Sequence, residues 1–151
     1  MDLDTPYRGG FVGREHHFAL TIYFEDTDTA GIVYYANYLK YMERARSDML
    51  RAVGVDQRAA LDAWDGVYAV ADLAIRYLAP VRLDDVLTIE TTALELRAAS
   101  VRLLQRALRE DQPIAEMTVR VGFVAPDGRP RRQPDAWRAT FARLTPDESP
   151  A

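Results

Sequence analysis

The apolar residues of this chain change period once, and that change narrows the folds open to it. Between Asn37 and Val53, Tyr38, Met42, Ala45 and Met49 recur at spacings of four, three and four, with Leu39, Leu50 and Val53 widening the stripe. That pattern predicts one long amphipathic helix. Lys40, Glu43, Arg44, Arg46 and Asp48 take its polar side, and Arg44 and Asp48 are spaced to pair one turn apart. Gly54 stands where a glycine ends a helix. From Val67 onward the period is two, in runs covering Val67–Leu78, Val86–Leu96, Ser100–Arg109 and Ile114–Val124. In the last run Ala115, Met117, Val119, Val121 and Phe123 share one face, while Glu116, Thr118 and Arg120 take the other. Only short turns separate these runs, Asp84-Asp85 and Glu110–Pro113 among them.

An earlier run, His17 to Phe24, puts Phe18, Leu20, Ile22 and Phe24 on one side and reads as a strand. Adjacent His16 and His17 point to opposite faces of it, and a surface or strand-end role is expected of both. The predicted order is therefore β-α-β-β-β-β. Short-looped strands form an antiparallel meander, and the helix covers its apolar face. The expected class is α+β, a single pair of layers. Residues 1–15 read as a flexible N-terminal arm, 16–145 as one domain and 146–151 as a flexible tail. Arg58–Trp64 suggests a short extra helix, and Asp135–Leu144 a helix or a strand.

Composition removes several functions. The 151 residues include no cysteine, so disulfides, thiolate metal sites and cysteine nucleophiles are excluded, and a cytoplasmic setting is expected. A net charge of −4 argues against general nucleic-acid binding. No run is apolar enough to form a transmembrane segment. Arg129, Arg131 and Arg132 form a local basic cluster, read as a solvated loop or a phosphate contact. Ser47 and Ser100 have no His or acidic partner at a recognisable spacing.

The chemistry concentrates in Phe24-Glu25-Asp26-Thr27-Asp28-Thr29-Ala30-Gly31-Ile32-Val33-Tyr34-Tyr35, between the first strand and the helix. Asp26, Asp28 and Gly31 match positions 1, 3 and 6 of a calcium loop, but Ala30 and Asn37 fill positions that need oxygen ligands, so no metal is expected. Two readings stay open. One is an Asp-rich turn that hydrogen-bonds its own backbone and caps the helix. The other is a catalytic carboxylate beside a helix N-terminus, where unpaired N–H groups hold a developing oxyanion. Gly31 would let the backbone approach a ligand closely.

The same stretch, extended through Ala36-Asn37-Tyr38, resembles the signature of the hotdog-fold acyl-CoA thioesterases of the 4-hydroxybenzoyl-CoA thioesterase type. Glu43-Arg44-Ala45-Arg46-Ser47-Asp48-Met49-Leu50 and Gly54-Val55-Asp56-Gln57 bring it closer to the Tol–Pal-associated bacterial branch. Tyr77-Leu78-Ala79-Pro80-Val81-Arg82-Leu83-Asp84-Asp85 and Gly128-Arg129-Pro130-Arg131-Arg132 agree further, and the resemblance runs from about His17 to Pro134. It implies a curved antiparallel sheet around one central helix, and hydrolysis of an acyl-coenzyme A thioester to free acid and coenzyme A.

Within that resemblance Asp28, not Asp26, corresponds to the catalytic carboxylate, acting as nucleophile or general base. The Tyr35 N–H corresponds to the donor that polarises the carbonyl. Much of the Tol–Pal branch has His at this place, so Tyr35 removes an ionisable ring. Glu43 falls where the 4-hydroxybenzoyl enzyme has an acid near the substrate's aromatic end. Arg97 falls where that enzyme has a basic cluster, but Ala98 and Ala99 follow it here. Asp72, in mid-strand, is a candidate for the substrate channel. The resemblance further implies a homo-oligomer, a dimer or a dimer of dimers (a homotetramer), with the site between subunits. No cofactor is implied beyond coenzyme A as part of the substrate. Two rival expectations are a hotdog hydratase or dehydratase, which needs a His–acid pair, and a non-catalytic thioester-binding or scaffolding protein.

Overall fold

The computed structural model describes residues 2–63 and 65–146. Six strands form one antiparallel sheet: β1 (Gly10–Val12), β2 (Glu15–Thr21), β3 (Val67–Tyr77), β4 (Val86–Leu96), β5 (Ser100–Arg109) and β6 (Gln112–Val124), in the order β1-β2-β4-β5-β6-β3. Helix α1 (Asn37–Ala52) lies on one face, with the shorter α2 (Gln57–Asp62) and α3 (Asp135–Leu144) beside it. This is the expected α+β hotdog arrangement, and Asp135–Leu144 is helical.

The core forms where the two periods meet. Tyr38, Met42, Ala45 and Met49 from α1 are buried against Leu87 and Ile89 of β4, Leu103 and Ala107 of β5, and Met117 and Val119 of β6. Full burial of one such Met or Leu side chain contributes about 1.5–3 kcal/mol. The helix ends in a Schellman motif. Val55 N–H donates to Leu50 C=O at 2.8 Å and Gly54 N–H to Arg51 C=O at 3.1 Å. Gly54 has φ +85°, a conformation open to glycine without a Cβ penalty.

Several elements depart from the sequence reading. The N-terminal arm is docked: β1 pairs with β2, the Tyr7 ring packs on Phe18, and Gly9 N–H reaches the Asp48 carboxylate at 2.9 Å. The first long strand ends at Thr21, not Phe24. There the Asp26 carboxylate accepts the Tyr23 N–H at 2.8 Å, so the chain turns and Phe24 faces solvent. His16 is fully buried rather than at the surface, with Nε2 at 2.8 Å from the Asp48 carboxylate. Asp48 is therefore not on the solvated side of α1. It pairs with His16 and, more loosely, with Arg51, not with Arg44. His17 points the other way, toward Glu15 and Glu90. Trp64, expected to end the short extra helix, and residues 147–151 of the expected tail lie outside the described residues.

The two sheet edges differ. β1 has three residues, whereas β3 has eleven, bonded along one side to β6. Val70, Leu73 and Tyr77 of β3 are each more than a third exposed. A long edge of this kind, mostly apolar with Asp72 and Arg76 as its charged residues, is a template for pairing with another chain.

Candidate active site

The acidic loop is a small bridged hairpin. Thr27 pairs with Val33, Asp28 N–H donates to Ile32 C=O at 2.9 Å, and Gly31 N–H donates to Asp28 C=O at 3.0 Å. Gly31 takes φ +80°, and a Cβ there would meet nothing within 4 Å. The position demands the conformation rather than the space. The loop is anchored to the connection between β3 and β4: Val33 N–H donates to Val81 C=O at 2.9 Å, and Ile32 bridges Arg82. That connection is held in turn by Asp85, whose carboxylate accepts the Arg82 N–H at 2.8 Å. This bond, with help from Arg109, keeps the Asp85 carboxyl below its ordinary pKa.

Within the loop the two acids have different work. The Asp26 carboxylate takes the Tyr23 N–H, and its carbonyl accepts from Tyr34 N–H at 3.0 Å and from Asn37 Nδ2 at 2.9 Å. Asp26 is thus the joint between strand end, loop and helix mouth. Asp28 is exposed, and its Oδ1 accepts the Ala30 N–H at 2.9 Å and, more weakly, the Ile32 N–H at 3.4 Å. Its Oδ2 takes no hydrogen bond among the described residues. One carboxylate oxygen is fixed and the other is presented.

The mouth of α1 is uncapped. Ala36 occupies the N-cap with no side-chain bond, and the first turn carries no acid. The turn-and-cap reading therefore holds for the loop's own backbone but not for the helix. Among the described residues the Tyr35 N–H finds no acceptor, while the Tyr35 carbonyl accepts the Tyr77 hydroxyl at 3.0 Å. Tyr34, Tyr35, Tyr38 and Tyr77 contact edge to face around this mouth. Burial and the neighbouring Tyr77 push the Tyr38 phenol up to about 12, so it stays neutral. At this mouth the Asn37 N–H is taken by the Tyr34 carbonyl at 2.9 Å and the Leu39 N–H by the Ala36 carbonyl at 3.2 Å, while the Tyr35 N–H, just ahead of the N-cap, is left to meet a developing negative charge.

The six sequence candidates fall in three places. Asp28, Gly31 and Tyr35 share the loop and helix mouth, near the end of β3. Arg97 and Asp72 line a groove of about 450 Å³ on the outer face of the sheet, with Glu95, Arg102 and Arg120. There Asp72 takes a two-pronged ion pair from Arg120, at 2.7 and 2.9 Å, and Arg97 pairs with Glu95. Glu43 lines a separate cavity of about 220 Å³ between α1 and the sheet, walled by Leu50, Tyr68, Val101, Leu103 and Phe141.

Arg46, which the helical stripe alone assigns to the polar side of the helix, opens into the same cavity. The sequence signal for this is Gln105. It shares the apolar face of β5 with Leu103 and Ala107, is fully buried, and accepts from Arg46 Nη1 at 2.9 Å. In the basic cluster each guanidinium meets its own chain: Arg129 meets Asp127, Arg131 the Asp65 carbonyl and Arg132 Asp135.

Two further groups bear on the rival chemistries. The His16–Asp48 pair matches the requirement of a hydratase in type but not in place, because both side chains are buried under the N-terminal arm. Glu15, His17 and Glu90 bring possible metal-ligating atoms within 4.8 Å of one another. They lie on the outer face and are engaged with each other; burial and the Glu15 charge raise the Glu90 pKa, while the bond to Glu90 lowers that of Glu15.

One long helix wrapped by an antiparallel sheet, with an acidic loop at the helix mouth, is the architecture of the hotdog thioesterases. The chain belongs to the Thioesterase-like superfamily, whose family model matches residues 22–144. It is 37% identical over 107 residues to the acyl-CoA thioesterase YbgC of Haemophilus influenzae, covering 71% of this chain and 79% of that protein. It is 38% identical over 122 residues to the acyl-CoA thioester hydrolase YbgC of Escherichia coli O6:H1, covering 80% and 90%. Among solved structures, a probable thioesterase from Bartonella henselae superposes with a TM-score of 0.75 at 30% identity, covering 80% of this chain and 99% of that one.

Proposed function

We propose that this chain hydrolyses acyl-coenzyme A thioesters to the free acid and coenzyme A. The observation that carries the reading is the Asp28 carboxylate, with Oδ1 pinned by the Ala30 N–H and Oδ2 presented, on a loop bonded to the uncapped mouth of α1. The Tyr35 N–H and the helix end polarise the thioester carbonyl and take up the charge that grows on its oxygen. Asp28 then acts by one of two routes. It attacks the carbonyl carbon, expelling coenzyme A thiolate and leaving an anhydride that water cleaves. Alternatively it takes a proton from a water that attacks, and the tetrahedral adduct collapses with loss of the thiolate, which is reprotonated. Gly31 holds the turn that aims the carboxylate. A thioester is already activated, so neither route calls on a metal or redox cofactor.

Assembly follows from β3. Antiparallel pairing of two copies about the middle of this strand, near Asp72, sets Tyr77 of one copy against the start of β3 in the other. The loop and helix mouth at one end of β3 then meet the partner's cavity, which Tyr68 and Val70 line at the other end. Such dimers stack into a dimer of dimers. Glu43 stands at the acyl end, and Arg97, with Asp72 and Arg120 around it, offers the outer groove to the coenzyme A phosphates. Among the described residues no helix is long and apolar enough to cross a membrane, and the cytoplasm supplies acyl-coenzyme A.

The test is thiol release from a panel of acyl-coenzyme A thioesters, aliphatic to aromatic. The native chain turns over part of the panel. Asp28→Asn keeps an acceptor for the Ala30 N–H and lowers kcat by about 10²–10⁴-fold with the fold intact. Equal activity in Asp28→Asn would remove Asp28 from the mechanism. No turnover by either protein would leave a thioester-binding module. After a single turnover in ¹⁸O water, label in the Asp28 carboxylate identifies the anhydride route, with water attacking the aspartyl carbonyl carbon.

A further inference from the structure

We infer that Arg46 reads the far end of the acyl group, and that the chain prefers short acyl-coenzyme A thioesters ending in a second carboxylate over methyl-ended ones of equal length. The inference rests on the proposed hydrolysis and on the cavity beside α1 being the acyl pocket.

The argument begins with Gln105. This side chain is fully buried in the row formed by Val101, Leu103 and Ala107, where an apolar residue would complete the core. Its amide orientation is set by its neighbours: Nε2 donates to the Met42 carbonyl at 2.9 Å and to Thr91 Oγ1 at 3.1 Å. Oε1 is left facing α1 as an acceptor, and Arg46 Nη1 fills it at 2.9 Å. A buried polar network of this kind is stable only when each member is satisfied. Here it holds one guanidinium in one place.

Arg46 itself is half-buried, and burial lowers its pKa, the direction expected when a cation loses water. A guanidinium carries five N–H donors. One is spent on Gln105, and the others find no acceptor among the described residues. No carboxylate ion-pairs with it there either. Glu43 lies on the same helix face and favours the charged form, but it is exposed and makes no ion pair with Arg46. The structure therefore directs a positioned, partly desolvated cation into a cavity with an apolar wall that includes Leu50, Leu103 and Phe141, whose other polar groups include Glu43, Ser47 and Gln57. A plain alkyl group seated against this half-buried guanidinium would strip its remaining water and offer nothing in return, which is costly. A carboxylate meets the planar fork of an arginine with two parallel hydrogen bonds and pairs its charge. The volume, about 220 Å³, lies below the range of about 300–1,000 Å³ usual for ligand pockets, which restricts the acyl chain to a short one.

The test compares length-matched thioesters: pentanoyl- with glutaryl-coenzyme A, and hexanoyl- with adipoyl- and 6-hydroxyhexanoyl-coenzyme A, on the full chain. In the native protein kcat/KM for the carboxylate-ended member exceeds that of the methyl-ended one by about 10-fold or more. In Arg46→Met it falls by about 10–100-fold for the carboxylate-ended members, mainly through KM, while methyl-ended members change less than about threefold. Arg46→Lys restores part of the preference.

A native ratio at or below one overturns the inference, as does an equal fall for all substrates in Arg46→Met, which would make Arg46 purely structural. A hydroxyl-ended substrate preferred to the carboxylate would overturn the charge pairing. If Arg46→Met fails to fold, the native ratio decides, together with competitive inhibition by adipate against hexanoate. Hydrolysis of methyl-ended thioesters without a carboxylate preference sinks this inference alone. Absence of hydrolysis throughout sinks it together with the proposed function.

Discussion

Replacing Asp48 by alanine tests whether α1 is held to the sheet by a polar clasp. Asp48 is 3% exposed, and its Oδ2 takes two hydrogen bonds, from His16 Nε2 at 2.8 Å and from Gly9 N–H at 2.9 Å. His16 is 0% exposed, so no water replaces the lost acceptor for its ring without rearrangement. A buried donor left unsatisfied costs about 1–3 kcal/mol. Two such donors give about 2–6 kcal/mol, and the Gly9 N–H recovers part of its share if β1 peels away to water. The expected loss is therefore about 3 kcal/mol, or about 6–12 °C in Tm for a chain of this size. Asp48→Asn retains an acceptor oxygen and loses about 1 kcal/mol. The measurement is urea unfolding followed by circular dichroism at pH 8, paired with limited proteolysis of the N-terminal segment. A loss below 1 kcal/mol in Asp48→Ala, with the segment still protected, would refute the clasp.

The same pair sets a pH dependence. Burial holds the His16 pKa below its ordinary value of 6.5, against the opposing pull of Asp48. The unfolded chain then binds the extra proton first, so stability falls as pH drops below about 6.5 and continues to fall down to the folded pKa. The slope has an upper limit of about 1.4 kcal/mol per pH unit for this one group, and it disappears in His16→Gln in a pH series of unfolding curves. Tyr77→Phe removes the hydroxyl that donates to the Tyr35 carbonyl, freeing the helix mouth on that side. It lowers kcat/KM by about 3–10-fold with little change in Tm, read from steady-state thiol release; an unchanged rate would show that this bond does not orient the site.

What the sequence disclosed was whatever repeats locally. Met42, Ala45 and Met49 were legible as core because a helix brings every third or fourth residue to one face. Met117, Val119 and Phe123 were legible because a strand alternates. The acidic loop was legible as a unit, and the separation of Asp26 from Asp28 matches their different hydrogen bonds. Periodicity misled wherever a charge faced inward. Arg46 and Asp48 are charged, and the helical stripe alone places them on the solvated side. Their partners, Gln105 and His16, lie 59 and 32 residues away, beyond any local spacing rule. The overlong first strand had a nearer cause: the Asp26 carboxylate takes the Tyr23 N–H and ends the run three residues early.

These inward charges also show how one helix serves two purposes. Its Tyr38, Met42, Ala45 and Met49 side secures it to the sheet, while Glu43, Arg46, Ser47 and Leu50, at spacings of three, one and three, form a second face that borders the cavity. Asp48 fixes the helix through β2 and the N-terminal segment, and Gln105 fixes Arg46 through β5. The helix mouth is left without a cap, although a serine or aspartate at position 36 would stabilise it by about 1 kcal/mol. A helix anchored this firmly by side chains along its length can do without its cap. In the proposed dimer, β3 carries that mouth to the partner's cavity. In that reading the eleven-residue edge, mostly apolar but carrying Asp72 and Arg76, joins the Asp28 loop of one copy to the cavity beside α1 in the other.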